Sequence, residues 1–240
     1  MKRAAGGGSR WLIVRTAACV VAIISAAYVS AQIAPTATEV AQYMGAHAAA
    51  HRGDVAQLRQ LIAAGARLDA RDSHGRTPLH VATFAKQRDA IRMLASAGAD
   101  LGALENDRYD AVTIAAVADD EETLRTLLSL GASAKLTTSR YDGTALIAAA
   151  HLGHVGVVKQ LIEAGAPLDH VNNLRWTALI ESIVLGDGGV RHQQVLQALV
   201  DAGANPGLAD GQGRTPLALA RSRGYTEMSE RLERTLRERR

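Results

Sequence analysis

The dipeptide Gly-Ala recurs at Gly65-Ala66, Gly98-Ala99, Gly131-Ala132, Gly165-Ala166 and Gly203-Ala204, at steps of 33, 33, 34 and 38 residues. A fixed period of this size means one supersecondary unit stacked on copies of itself, so the period must be read before any single motif. An apolar pair precedes each glycine: Leu61-Ile62, Met93-Leu94, Leu127-Leu128, Leu161-Ile162 and Leu199-Val200. Twelve or thirteen residues after each glycine comes a second landmark. It reads Thr77-Pro78-Leu79, Asp110-Ala111-Val112, Thr144-Ala145-Leu146, Thr177-Ala178-Leu179 and Thr215-Pro216-Leu217.

Each landmark has a physical reason. A Thr or Asp side chain caps a helix start by accepting a bond from a free N–H of the first turn. Proline at the first helical position costs no hydrogen bond and presets φ. Glycine suits the left-handed position that ends a helix. Each period therefore reads as helix, tight turn, helix, glycine stop and an extended loop. Scarce aromatics (3%) fit closely packed small-residue helices rather than a β-sandwich.

With those residues in view, a resemblance is clear. Residues 72–103, DSHGRTPLHVATFAKQRDAIRMLASAGADLGA, resemble a full ankyrin repeat, and HLGHVGVVKQLIEAGAPLD at residues 151–169 resembles its second half. The resemblance covers about residues 45–238 and departs from the usual pattern at Asp110-Ala111-Val112-Thr113, Ala145 and Ala178. It implies an all-α ankyrin-repeat solenoid of about six helix-turn-helix repeats with β-hairpin-like finger loops. The expected division is a capping segment at 32–44 and repeats at about 45–70, 71–103, 104–136, 137–170, 171–208 and 209–240. Met228, Leu232 and Leu236 lie four apart on one face of an otherwise charged last helix, as a terminal cap requires.

The N-terminus reads as a secretory signal. Lys2, Arg3, Arg10 and Arg15 precede an uncharged stretch at 16–31 that ends Val29-Ser30-Ala31, so cleavage is expected after Ala31. An uncleaved anchor is the alternative, although the stretch is short of the roughly 20 apolar residues of a spanning helix. Loss of those four cations from 27 leaves 23 Lys and Arg against 24 Asp and Glu, a net charge of −1. That removes the basic footprint of nucleic-acid binding. Cys19 is the single cysteine and leaves with the signal. A thiol-free mature chain suits an oxidising compartment. By resemblance to exported bacterial ankyrin proteins, that compartment is the periplasm.

The step of 38 comes from Gly186-Asp187-Gly188-Gly189-Val190-Arg191-His192, which replaces a short turn such as Gly153-His154. Glycine, acid, arginine and histidine together can bind phosphate or a metal. A phosphate loop, however, follows a strand and runs into Gly-Lys-Ser/Thr. A zinc site needs three or four ligands, and Asp187 and His192 offer two at most. The expected reading is a lengthened turn; an enzyme or ligand site there is the alternative. His47 and His51, four apart, and His51 and His151 fall at repeat positions, and His80 at the histidine of the family signature, which ties neighbouring loops. Asp69, Asp100 and Asp169 follow the glycine stops and read as loop hydrogen-bonders. No nucleophile elbow, HExxH or mature cysteine appears. Neither an enzyme nor a cofactor is expected.

The fingers vary most. Their tips hold Arg76, Arg108, Tyr109, Arg140, Tyr141, Arg175, Trp176 and Arg214. Arg, Tyr and Trp are the residues most enriched in binding hot spots. These eight are the expected protein-binding residues, and the arginines favour a partner with an acidic patch. The expectation is a monomeric, non-catalytic binding module, as an accessory to an enzyme. An inhibitor or immunity protein and a membrane-anchored scaffold remain alternatives.

Overall fold

The computed structural model describes residues 32–239. The signal segment, its cleavage after Ala31 and the anchor alternative lie outside the described residues. Among these are thirteen helices. A short helix α1 (Ala37–Gln42) comes first. The rest alternate between inner and outer helices: α2 (Gly45–Arg52), α3 (Val55–Ala63), α4 (Pro78–Phe84), α5 (Arg88–Ser96), α6 (Ala111–Val117) and α7 (Glu121–Ser129). They continue with α8 (Ala145–Leu152), α9 (Val155–Glu163), α10 (Ala178–Val184), α11 (Val190–Asp201), α12 (Pro216–Ser222) and α13 (Thr226–Glu238).

The caps fall at the sequence landmarks. Asp110 Oδ1 accepts from Thr113 N at 2.8 Å, and Thr144 Oγ1 from Ile147 N at 3.3 Å. Thr177 and Thr215 cap α10 and α12 in the same way. The Gly-Ala pair ends every outer helix but the last. Gly98 takes φ 91°, which an L side chain resists, and its N–H donates to Ala95 O at 3.0 Å. The next N–H, of Ala99, reaches back to Leu94 O at 3.0 Å. That pairing satisfies carbonyls the helix end leaves free. It explains both members of the dipeptide, because Ala99 is itself buried against the next repeat.

Even-numbered helices stack in one layer and α3, α5, α7, α9, α11 and α13 in a second. One continuous core runs between them. Outer helices supply large residues such as Leu58, Leu94, Leu127, Leu161, Leu199 and Leu232, and inner helices small ones such as Ala49, Ala82, Ala115 and Ala149. Small residues let the inner helices approach closely; large ones fill the wider outer layer.

Buried polar groups stitch the repeats. The Thr77 N–H donates to His80 Nδ1 at 3.1 Å, so the ring proton sits on Nε2, which faces Tyr109 O at 3.2 Å. The histidine thus ties α4 to the next finger. Desolvation by burial pushes its pKa down to about 4. Asp69 accepts from Asp100 N at 3.1 Å and Asp169 from Asn205 N at 2.8 Å, each bonding the following repeat.

Candidate binding surface

Each finger is a hairpin closed by a backbone bond. Asp72 N donates to Arg76 O, Glu105 N to Tyr109 O, Thr138 N to Gly143 O, Asn172 N to Trp176 O and Asp210 N to Arg214 O. The first residue of each finger, or Ser139 in the third, also turns its side-chain oxygen inward as a cradle. Asp210 Oδ1 accepts from Gln212 N and Arg214 N, both at 2.9 Å. Asn172 Oδ1 accepts from Leu174 N and Trp176 N, and Glu105 Oε1 from Asp107 N and Tyr109 N. Adjacent fingers are laced together, by Asn106 N to His74 O, Ser139 N to Arg108 O and Asn173 N to Tyr141 O.

This frame divides the eight expected residues into two registers. The residue just before the helix cap lies at the finger base and turns toward the stack. Arg76, Tyr109, Trp176 and Arg214 hold that register. The residue before it takes positive φ at the tip: Gly75 74°, Arg108 68°, Asp142 52°, Arg175 64° and Gly213 76°. Arg108 is 51% exposed and Arg140, from the extra residue of the third finger, 61%. Arg175 is exposed too.

The base register buries two of the expected residues. Arg76 is 1% exposed and Tyr109 2%. Tyr109 packs on Ile114 and Phe84. Trp176 is half-buried and packs on the main core, and Tyr141 is half-buried. Arg76 is held by Asp72, whose Oδ2 takes its Nε–H at 2.7 Å, and by Glu39. Arg214 repeats the Asp pairing in the last finger yet is 47% exposed.

Charge at the tips is more balanced than the arginines alone suggest. Arg140 pairs with Asp107 and Arg108 with Asp142 at 3.3 Å, so the second and third fingers exchange charges reciprocally. Arg175 enters no ion pair among the described residues.

The 186–192 turn is braced from every side. Tyr225 Oη donates to Gly186 O at 3.0 Å and Gln193 Nε2 to Gly188 O at 2.8 Å. Asp187 Oδ1 accepts from Gly189 N and His192 Nδ1, both at 2.8 Å. The Gly189 N–H, then His192, hold the Asp187 carboxyl below its ordinary pKa. His192 Nε2 faces His151 O at 2.9 Å, and Arg191 Nε donates to Gly153 O at 3.0 Å. Acid, histidine and arginine are thus engaged in joining the longer turn to the preceding one.

Glu39, Asp72 and His74 bring three metal-type ligand atoms within 4.8 Å of one another. The Arg76 guanidinium already lies between both carboxylates. A second cation there would face that buried charge. No helix among the described residues is long and apolar enough to cross a membrane.

A family model described as ankyrin repeats (3 copies) matches residues 36–105 and 112–210. The chain belongs to the ankyrin repeat family. Ankyrin repeat protein YahD of Escherichia coli (strain K12) is 34% identical over 185 residues, covering 77% of this chain and 92% of its own. An ankyrin repeat domain from Acinetobacter baumannii AYE is similar in structure, with TM-score 0.75 and 45% identity over 79% of this chain and 96% of its own. The ankyrin repeat domain of Bcl-3, an IκB-family protein, gives TM-score 0.72 at 27% identity, over 80% of this chain and 86% of its own. Ankyrin repeats are in general protein-binding, non-catalytic modules.

Proposed function

We propose that this chain is a non-catalytic ankyrin module, exported to the periplasm, that docks a protein partner on the tips of its second to fourth fingers. The observation that carries the reading is Arg175. It is an exposed arginine without an ion-pair partner among the described residues, and it is held at φ 64° where the first and last fingers use glycine; Arg108 and Asp142, at the same place in the second and third fingers, pair with each other. A non-glycine residue in the left-handed region costs on the order of 1 kcal/mol. A solvated cation needs no such conformation; a rigidly aimed one serves recognition. Arg140 and the half-buried Trp176 and Tyr141 flank it. The partner presents a carboxylate cluster, and the module acts as a monomer and accessory to it.

Affinity capture from periplasmic extract tests this, with the native chain and an Arg140→Ala/Arg175→Ala variant as baits. Both sites are exposed, so folding is preserved. The expected result is a partner held by the native chain and depleted at least tenfold by the variant. Equal recovery with both baits would refute fingertip docking.

A further inference from the structure

The residues ahead of α1 do not stand apart from the stack. Gln32 Nε2 donates to Thr113 O, in the first turn of α6, at 3.1 Å. Ile33 O accepts from Arg76 Nη1 at 3.1 Å. Glu39 pairs with Arg76, and with His74 at 2.8 Å. Residues 32–39 therefore run as a strap from the third helix pair to the first finger, across inner helices and finger base. The same Asp–Arg cradle is open at the last finger and closed by the strap at the first.

What holds the strap is polar. Helix α1 buries no residue, and Ile33, the strap's largest apolar side chain, is half exposed. Opening it uncovers little apolar surface, and segments of that kind open locally far more readily than the whole fold unfolds. The main grip is a charge-assisted carboxylate–guanidinium pair, a contact that any suitably extended acidic chain can supply.

We infer that the strap is an exchangeable occupant of an Arg76-centred site whose ligand is an extended peptide segment bearing a carboxylate. In the closed state Glu39 fills that site from within the same chain. A partner's acidic segment enters as the strap leaves, which extends the docking surface from fingers two to four down to finger one. This deepens the binding reading by naming the partner's chemistry at one site. It is tested without the partner, so its failure is distinct from failure of fingertip capture.

The probe is a fluorescein-labelled peptide of residues 32–43, QIAPTATEVAQY, titrated by anisotropy against the full chain and its Glu39→Gln variant. The variant is expected to bind the peptide at least tenfold more tightly than the native chain. Adding Arg76→Gln to the variant, or using the peptide with its own Glu→Gln change, is expected to abolish binding. In parallel, an arginine-selective dicarbonyl reagent with peptide mapping is expected to leave Arg76 protected in the native chain and modified in Glu39→Gln. Equal peptide binding by native chain and variant, binding by neither, or equal protection of Arg76 would overturn the inference. So would failure of Glu39→Gln to fold, since an exchangeable strap is dispensable to the repeats.

Discussion

Two histidines set the response to acid. His80 gives up its Nδ1 lone pair to the Thr77 N–H, and His151 is buried beside Glu181. Burial depresses both to about 4, with His192 and His154 adding to the effect at His151. In the unfolded chain both return to about 6.5. Between those values the unfolded state binds more protons, so their contribution is whole above pH 6.5 and lost as pH falls toward 4. The loss is on the order of 3 kcal/mol for each histidine. Carboxylates held low, such as Glu39 at about 2, withdraw their share only at still lower pH. Denaturant midpoints at pH 7.5, 6.0 and 4.5 are expected to fall steeply across this series, and a flat profile would contradict the burial assigned to the two rings. At the same scale, Arg175→Gly removes a positive-φ side chain that forms no ion pair among the described residues. Stability is expected to rise by about 0.5–1 kcal/mol while partner binding falls. A loss of stability would mean that Arg175 has a structural contact in solution.

At the scale of elements, caps, stops and helix order were legible because they are local chemistry at fixed spacing. Thr144 and Thr177 cap where their hydroxyls predict, and the Gly-Ala pairs end helices as their φ requires. The finger registers were not read, although a signal was present. The residue directly before each cap turns inward and the one before that turns out, so Arg76 and Arg175 differ in kind despite both being finger arginines. The strap was beyond local reading, since Glu39 meets Arg76 across 37 residues. The turn at 186–192 gives a paired prediction. A Cβ on Gly186 would lie 2.1 Å from Ser182 O, a backbone atom that cannot move aside, whereas one on Gly189 meets only the Asp187 side chain at 3.1 Å. Gly186→Ala is expected to cost about 2–4 kcal/mol and Gly189→Ala under about 1 kcal/mol, read from thermal melts. Equal effects would mean that the turn is looser than described.

Across the described residues, helix pairs pack mainly on their neighbours, with Arg191–Asp119 at 3.3 Å as one contact that skips a repeat, so stability is largely a chain of interface terms and the ends open first. Leu161 in α9 is fully buried between flanking repeats. Leu161→Ala is expected to cost about 2–5 kcal/mol. Hydrogen exchange should then show its loss of protection centred on α8 to α11, with the ends less affected. Uniform loss would indicate a single cooperative block instead. The same linear build leaves the fingers as one continuous edge, on which charge is mostly cancelled between neighbours and uncancelled at Arg175. The most direct test of that account is the dissociation constant of the captured complex, measured for the native chain and Arg175→Glu over a range of salt concentrations. Binding by the variant is expected to be at least tenfold weaker at low salt, with the gap narrowing as salt rises. An identical constant at every salt concentration would contradict it.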